Sequence, residues 1–237
     1  MKDEKMTVAI VDDEENIRET ISYSLKEEGF IPLPFTDGLS AWEVFKKKLP
    51  DIVILDIMMP CMDGLELCRR IRGISETIPL IFLSSKDEEI DKIIGLQMGG
   101  DDYLCKPFSM RELITRLKVI IRRINSINMN DCSHKFDDML TIDELSMDLN
   151  KYLATWKNNK LHLTITEFFL LLSLIKFPGH VKTREQLMED AYSENIFVSD
   201  RTIDSHIKRL RKKFLTLDPG FNGIETVYGL GYRFSVE

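Results

Sequence analysis

Five side chains in the first half of the chain have types and positions that could handle a charged group: Asp12, Asp13, Asp56, Ser84 and Lys106. Each stands at or just beyond the end of a short apolar run. Three carboxylates brought to one rim repel one another unless a hard divalent cation neutralises them, and carboxylate oxygens completed by water suit Mg²⁺. A lysine beside them suggests a charged substrate group. The simplest chemistry for such a set is nucleophilic: Asp56 takes a phosphoryl group while Mg²⁺ and Lys106 balance charge on the transferring oxygens. One acid at a strand end is ordinarily a helix cap or a solvated turn, so the reading rests on all five sharing one rim.

Elements that would place them there are legible. The 237 residues, 43% apolar and 30% charged, suffice for two domains with real cores. Apolar runs at Thr7–Val11, Phe30–Phe35, Asp51–Leu55, Pro79–Leu83 and Asp102–Leu104 alternate with amphipathic stretches at Asn16–Glu28, Ser40–Lys48, Leu65–Arg72, Glu88–Met98 and Met110–Ile124. That alternation predicts a doubly wound five-stranded parallel sheet over residues 1–124, whose ligand crevice lies at the carboxyl ends of its strands. Asp101 and Asp102 form a separate acidic pair and read as surface ion-pair partners, not as metal ligands.

Residues 125–135, NSINMNDCSHK, are polar and aperiodic and read as a linker. The remainder, 136–237, opens with short strands over Phe136–Trp156. Thr164–Glu167 is a capping box opening an apolar helix that stops at Phe177-Pro178-Gly179. Thr183–Gln186 is a second capping box, and a third helix covers Asp200 to Phe214. The final IETVYGLGYRF is a hairpin. Three helices followed by a hairpin make an α+β winged helix-turn-helix domain.

Net charge is −7, yet residues 201–213 hold six basic side chains against Asp204. Local field, not net charge, governs binding to a polyanion. On the third helix Ile203, Ile207, Leu210 and Phe214 share one stripe and should pack inward. The opposite arc collects Arg201, Ser205, Lys208, Arg209 and Lys212, with Thr202 and His206 on its flank. With Tyr228, Tyr232 and Arg233 on the hairpin, this arc is expected to meet DNA phosphates and base edges. Arg209 is assigned to base readout for its fork geometry, and Lys212 to phosphate as a point charge.

Cys61, Cys68, Cys105 and Cys132 show no CxxC pair and no His at ligand spacing, so scattered reduced thiols are expected. No apolar run approaches the roughly 20 residues needed to cross a bilayer, and the start MKDEKMTVAIVDDEEN is unlike a secretory signal. A cytoplasmic protein with no membrane partner is expected.

IVDDE at 10–14, DIVILDIMMPCMDG at 51–64, FLSSK at 82–86 and GGDDYLCKPFSMREL at 99–113 resemble the flavodoxin-like receiver domain of two-component response regulators. VSDRTIDSHIKRLRKKF at 198–214 and IETVYGLGYRF at 224–234 are similar to the winged-helix effector domain of the OmpR/PhoB family, and the wording is most similar to its ChvI branch. The resemblance implies Asp56 as phosphoacceptor, Asp13 as direct Mg²⁺ ligand, Asp12 acting partly through water, and the Met58 carbonyl as a further ligand. It makes Ser84 the sensing hydroxyl, Tyr103 an aromatic that swings inward and Lys106 the ion-pair partner. Cys61 departs from the family, which usually has Gly there.

The same resemblance implies phosphorylation by a sensor histidine kinase and homodimerisation when phosphorylated. Lys92–Glu112, Asp102–Arg116 and Asp101–Arg123 would pair across the interface around Ile93 and Leu96. It further implies binding to promoter direct repeats, with a wing in the minor groove and a loop at Asp190–Ser199 that can contact RNA polymerase. An aspartate-nucleophile phosphatase is the main rival. That chemistry wants a second acid two residues after the nucleophile, where this chain has Met58, so no enzyme acting on separate substrates is expected.

Overall fold

The computed structural model describes residues 5–84, 98–128, 139–192 and 200–235. The chain divides into two compact units, 1–117 and 118–237. The first is a five-stranded sheet of β1 (Thr7–Val11), β2 (Ile31–Phe35), β3 (Ile52–Asp56), β4 (Leu80–Ser84) and β5 (Asp102–Cys105). Its order is β2-β1-β3-β4-β5, and all neighbours are parallel. The three inner strands are nearly continuous apolar runs, as burial on both faces demands. β2 carries Pro32 and Pro34, which cannot donate to a ladder, and it lies at the sheet edge, where only one side is paired.

Helices α1 (Glu15–Glu27), α2 (Gly38–Phe45), α3 (Gly64–Ile74) and α4 (Met110–Asn128) accompany the sheet. α1 buries Ile21 and Leu25; Asp37 and Asp63 cap α2 and α3 by accepting from Ser40 N and Glu66 N. α4 continues four residues past the expected Ile124 into the stretch read as linker, because its apolar spacing runs on through Ile124 and Ile127. The helix expected at Glu88–Met98, with Lys92, Ile93 and Leu96, lies outside the described residues except for Met98, which is in a turn.

Between β3 and α3 the chain folds back tightly. Gly64 N donates to Ile57 O at 3.0 Å, and a Cβ on Gly64 would lie 2.0 Å from Asp56 O. Only glycine lets this turn press against the strand end that carries Asp56. Cys61, in the same turn, has φ 66°, a left-handed conformation that costs a side-chain-bearing residue roughly 1–2 kcal/mol. Glycine's extra freedom in the unfolded chain returns part of that difference. Cys61→Gly should therefore stabilise the receiver unit by about 0.5–1 kcal/mol, seen as a higher denaturant midpoint by Trp42 fluorescence; an unchanged or lower midpoint would contradict the strain.

Beyond α4, the second unit has an antiparallel sheet of β6 (Met139–Ile142), β7 (Leu145–Asp148), β8 (Leu153–Trp156) and β9 (Asn159–Leu161), the last not anticipated. Its helices are α5 (Ile165–Ile175), α6 (Arg184–Tyr192) and α7 (Asp200–Leu217). β10 (Lys182–Thr183), β11 (Ile224–Val227) and β12 (Gly231–Phe234) form the second sheet. Both predicted capping boxes form: Thr164 with Glu167, and Thr183 with Gln186. α5 is buried along its whole length, and Ile203, Ile207, Leu210 and Phe214 of α7 close the core beside it. Phe214 stacks on Phe221 at 4.0 Å, with Trp156 edge-on to both.

Candidate functional site

The parallel register delivers the expected acids to one rim. β1 ends just before Asp12, while β3 ends on Asp56. Asp12 is fully buried, Asp56 is 4% exposed, and Asp13 faces solvent. One oxygen from each of the three lies within 4.8 Å of the others, a donor set that fits a hard divalent cation such as Mg²⁺. Lys106 Nζ sits 2.8 Å from Asp12 Oδ2, 2.8 Å from Asp56 Oδ2 and 2.9 Å from Glu14 Oε1. Burial alone would lower the Lys106 pKa, but hydrogen bonds to these carboxylates outweigh it and raise it. Burial pushes the Asp56 carboxyl up, against the pull of Lys106 and the Met58 backbone N–H, which donates to Oδ1 at 3.2 Å.

Glu14 was not anticipated: it joins the rim because Lys106, just beyond β5, reaches it. Tyr103 is buried on β5. Ser84 ends β4 opposite Cys105.

Asp101 and Asp102 are not surface acids. Both are buried, since they open the β5 edge under α3 and α4. Asp101 Oδ2 receives Arg72 Nη2 at 2.8 Å and Leu80 N at 3.0 Å, and Asp102 receives Arg116 Nη1 at 2.9 Å. Arg116 also reaches Glu112 at 2.9 Å. Asp101, Asp102, Glu112 and Arg116, expected to pair across a dimer, are thus engaged within one chain, as a buried carboxylate requires a cation beside it. Arg123 lies on α4, and its side chain is outside the described set.

On α7 the expected exposed arc is narrower than the residue pattern suggested. Thr202, Ser205 and His206 are buried, and Arg209 is 11% exposed with Nε 3.0 Å from Glu167 Oε1. The cause is that α7 packs on two sides: His206, Arg209 and Lys213 turn toward α5, where Glu167 is fully buried, and Asp204 and Arg211 turn toward the hairpin. A polar residue on a helix wheel defaults to solvent unless a buried charge calls it inward. Glu167 announced itself in the sequence only as a helix cap. Lys208 and Lys212 do remain exposed; the Arg201 side chain lies outside the described set.

Arg211 donates to Ile224 O at 2.9 Å and Thr226 Oγ1 at 2.8 Å, and its guanidinium lies over the Tyr232 ring. Tyr232 is buried and donates to Asp204 at 2.7 Å, so it braces the hairpin and does not reach outward. Arg233 is paired with Glu225, while Tyr228 is 93% exposed. Of the expected polymerase-contacting loop Asp190–Ser199, Asp190 and Ala191 belong to α6, which ends at Tyr192, and 193–199 lie outside the described residues.

His206 is held neutral: burial, then the Arg209 cation, bring its pKa down to about 3. Between the ordinary value near 6.5 and about 3, the unfolded chain binds a proton the folded chain refuses. This contribution is therefore fully present above pH 6.5 and is lost progressively on acidification, by at most about 1 kcal/mol per pH unit. Denaturant unfolding followed by Trp156 fluorescence at pH 7 and 5 should show this slope, and His206→Gln should flatten it; equal slopes would refute the assignment.

A parallel sheet with acids and a lysine at its carboxyl rim, in one chain with a unit of three helices and a hairpin, defines a transcription regulator that carries a receiver domain. Residues 8–118 match the response regulator receiver domain family, and 158–234 match the family described as transcriptional regulatory protein, C terminal. The chain is 36% identical over 229 residues to the transcriptional regulatory protein CreB of Escherichia coli, covering 97% of both. It is 39% identical to BaeR of Escherichia coli over 97% of this chain and 93% of that one. With the phosphate regulon transcriptional regulatory protein PhoB of Shigella dysenteriae it shares 36%, over 96% and 97% of the two chains.

Among solved structures, the Thermotoga maritima response regulator DrrB, an OmpR/PhoB homolog, superposes with TM-score 0.51 at 29% identity over 98% of this chain and 99% of that one. A RitR mutant superposes with TM-score 0.78 at 21% identity over 98% of this chain and 100% of that one, a likeness of fold. The chain belongs to the OmpR/PhoB family of two-component response regulators. Among the described residues no helix is long and apolar enough to cross a membrane.

Proposed function

We propose that this regulator is switched by a phosphoryl group on Asp56, delivered by a sensor histidine kinase. The observation that carries the reading is a nearly buried carboxylate joined to Lys106 beside two further acids. A carboxylate oxygen of Asp56 attacks phosphorus as the P–N bond to the donor imidazole breaks, its electron pair returning to nitrogen. Asp12, Asp13 and Asp56, with the Met58 carbonyl, would hold Mg²⁺, which supplies charge neutralisation on the transferring oxygens. Lys106 holds the carboxylate in place and offers a cation to the new phosphate; Ser84 and Tyr103 answer it. Incubating the full chain with a small acyl phosphate should add one hydroxylamine-labile phosphoryl group, and chelation should prevent it. Label on Asp12 or Asp13, or uptake indifferent to chelation, would overturn the reading.

Phosphorylation adds about −1.5 to −2 charges to the rim and favours a homodimer through residues 88–98, β5 and α4. Because Arg116 and Glu112 are already engaged within the chain, dimerisation exchanges partners for them instead of capturing free charges. Swapping the charges of Lys92 and Glu112 together should restore dimerisation lost in each single swap, measured by sedimentation; no rescue would remove that pair from the interface. The dimer binds promoter direct repeats about one helical turn apart through Lys208, Lys212 and the wing, and contacts RNA polymerase at the α6–α7 connection.

A further inference from the structure

Resting on the proposed DNA-binding surface, we infer that the wing reads the minor groove through an apolar tip, Tyr228 and Leu230, and so selects an easily deformed base step. Tyr228 is 93% and Leu230 58% exposed, on either side of Gly229, whose φ of 76° makes the turn. The turn itself needs only the glycine and the Leu230 N–H, which donates to Val227 O at 3.0 Å; neither large apolar side chain is required by it.

Residues 224–234 contain a single basic side chain, Arg233, and Glu225 Oε2 lies 2.6 Å from its Nη2. The tip therefore brings no cation to the groove. Its place beside the helix is fixed by Arg211, which binds Ile224 O and Thr226 Oγ1 from the flank of α7 next to exposed Lys208 and Lys212. The apolar tip is thus continuous with the cationic arc, and both meet one duplex.

A cation in a minor groove gains from negative potential and counterion release, so it favours narrow, stiff A-tracts and adds to the salt dependence. A ring and an isobutyl group gain nothing from either. They gain by packing on sugars and the edges of partly unstacked bases, which is cheapest at TA and CA/TG steps.

The test uses the full chain and duplexes that it enriches from a random pool, resynthesised with TA, CA or AA at each step flanking the protected stretch. Wild type should bind TA and CA versions about tenfold more tightly than AA, and Tyr228→Ala should erase the preference and lose about tenfold on the TA duplex, the size of one stacked aromatic. The slope of log affinity against log salt should not change in Tyr228→Ala and should steepen by about 0.9 in Tyr228→Arg. Full affinity and step preference in Tyr228→Ala, or a shallower salt slope, would overturn the inference and leave the tip to a protein partner. Lys208→Ala and Lys212→Ala run alongside: their weakening with Tyr228→Ala unaffected refutes only the wing inference, while their indifference refutes the DNA surface on which it rests.

Discussion

Asp56→Asn should take up phosphoryl from a small acyl phosphate at least about a thousandfold more slowly than wild type, because the substitution preserves shape while removing the nucleophile. The fold should survive it. Asp56 Oδ1 is met by the Met58 N–H and Oδ2 by Lys106, and an asparagine oxygen can keep one of these contacts. Asp12 and Glu14 remain to compensate Lys106 at 2.8 and 2.9 Å, so no buried cation is stranded. Intact mass after donor treatment checks uptake, and Trp42 fluorescence checks folding. Wild-type uptake by a folded Asp56→Asn chain would dismiss Asp56 as acceptor.

Glu167→Gln should destabilise the DNA-binding unit by about 3 kcal/mol, the lower end of the range for breaking a buried ion pair, since Lys213 keeps part of its side chain in solvent. Burial by itself would push the Glu167 carboxyl up; Arg209 and Lys213 reverse that and hold it below its ordinary value. Its lowered pKa means this stabilisation is present above the unfolded value near 4.5 and disappears as pH falls below it. The glutamine retains an oxygen for the Thr164 N–H, so the capping contact survives and the lost charge dominates. Urea unfolding followed by Trp156 fluorescence measures the effect, and a cost below about 1 kcal/mol would show that the pair is already solvated. The triple replacement Glu167→Gln, Arg209→Met, Lys213→Met should recover most of the loss, because no charge is then left buried and the Thr164 N–H keeps its acceptor.

Local physics made the scaffold of this protein readable. Apolar spacing, two reciprocal capping boxes and the glycine-centred hairpin turn are interactions among near neighbours in sequence. Among the described residues the five strands of the receiver sheet, its first helix, both boxes and the hairpin form within a residue or two of where the pattern put them, while β9 and the last four residues of α4 went beyond it. The acidic rim was equally legible, because a parallel sheet sends every strand's carboxyl end to one side: Asp12, Asp13, Asp56 and Lys106 needed only strand ends to be located. What the residue pattern could not assign was the partner of each charge. Glu14 had no reading of its own, because its partner Lys106 stands 92 positions later, just beyond β5. Asp101 and Asp102 looked like surface acids until the sheet edge closed over them with Arg72 and Arg116. Arg209 and His206 sat on a wheel's polar arc, but the fold turned them onto a buried Glu167 some 40 positions earlier and left Lys208, Lys212 and the tip of the wing facing outward. A helix wheel knows one axis; the direction from which a second helix or a hairpin arrives is set by packing of the whole core, and that packing decides which polar side chains lose their water and must pair within the chain.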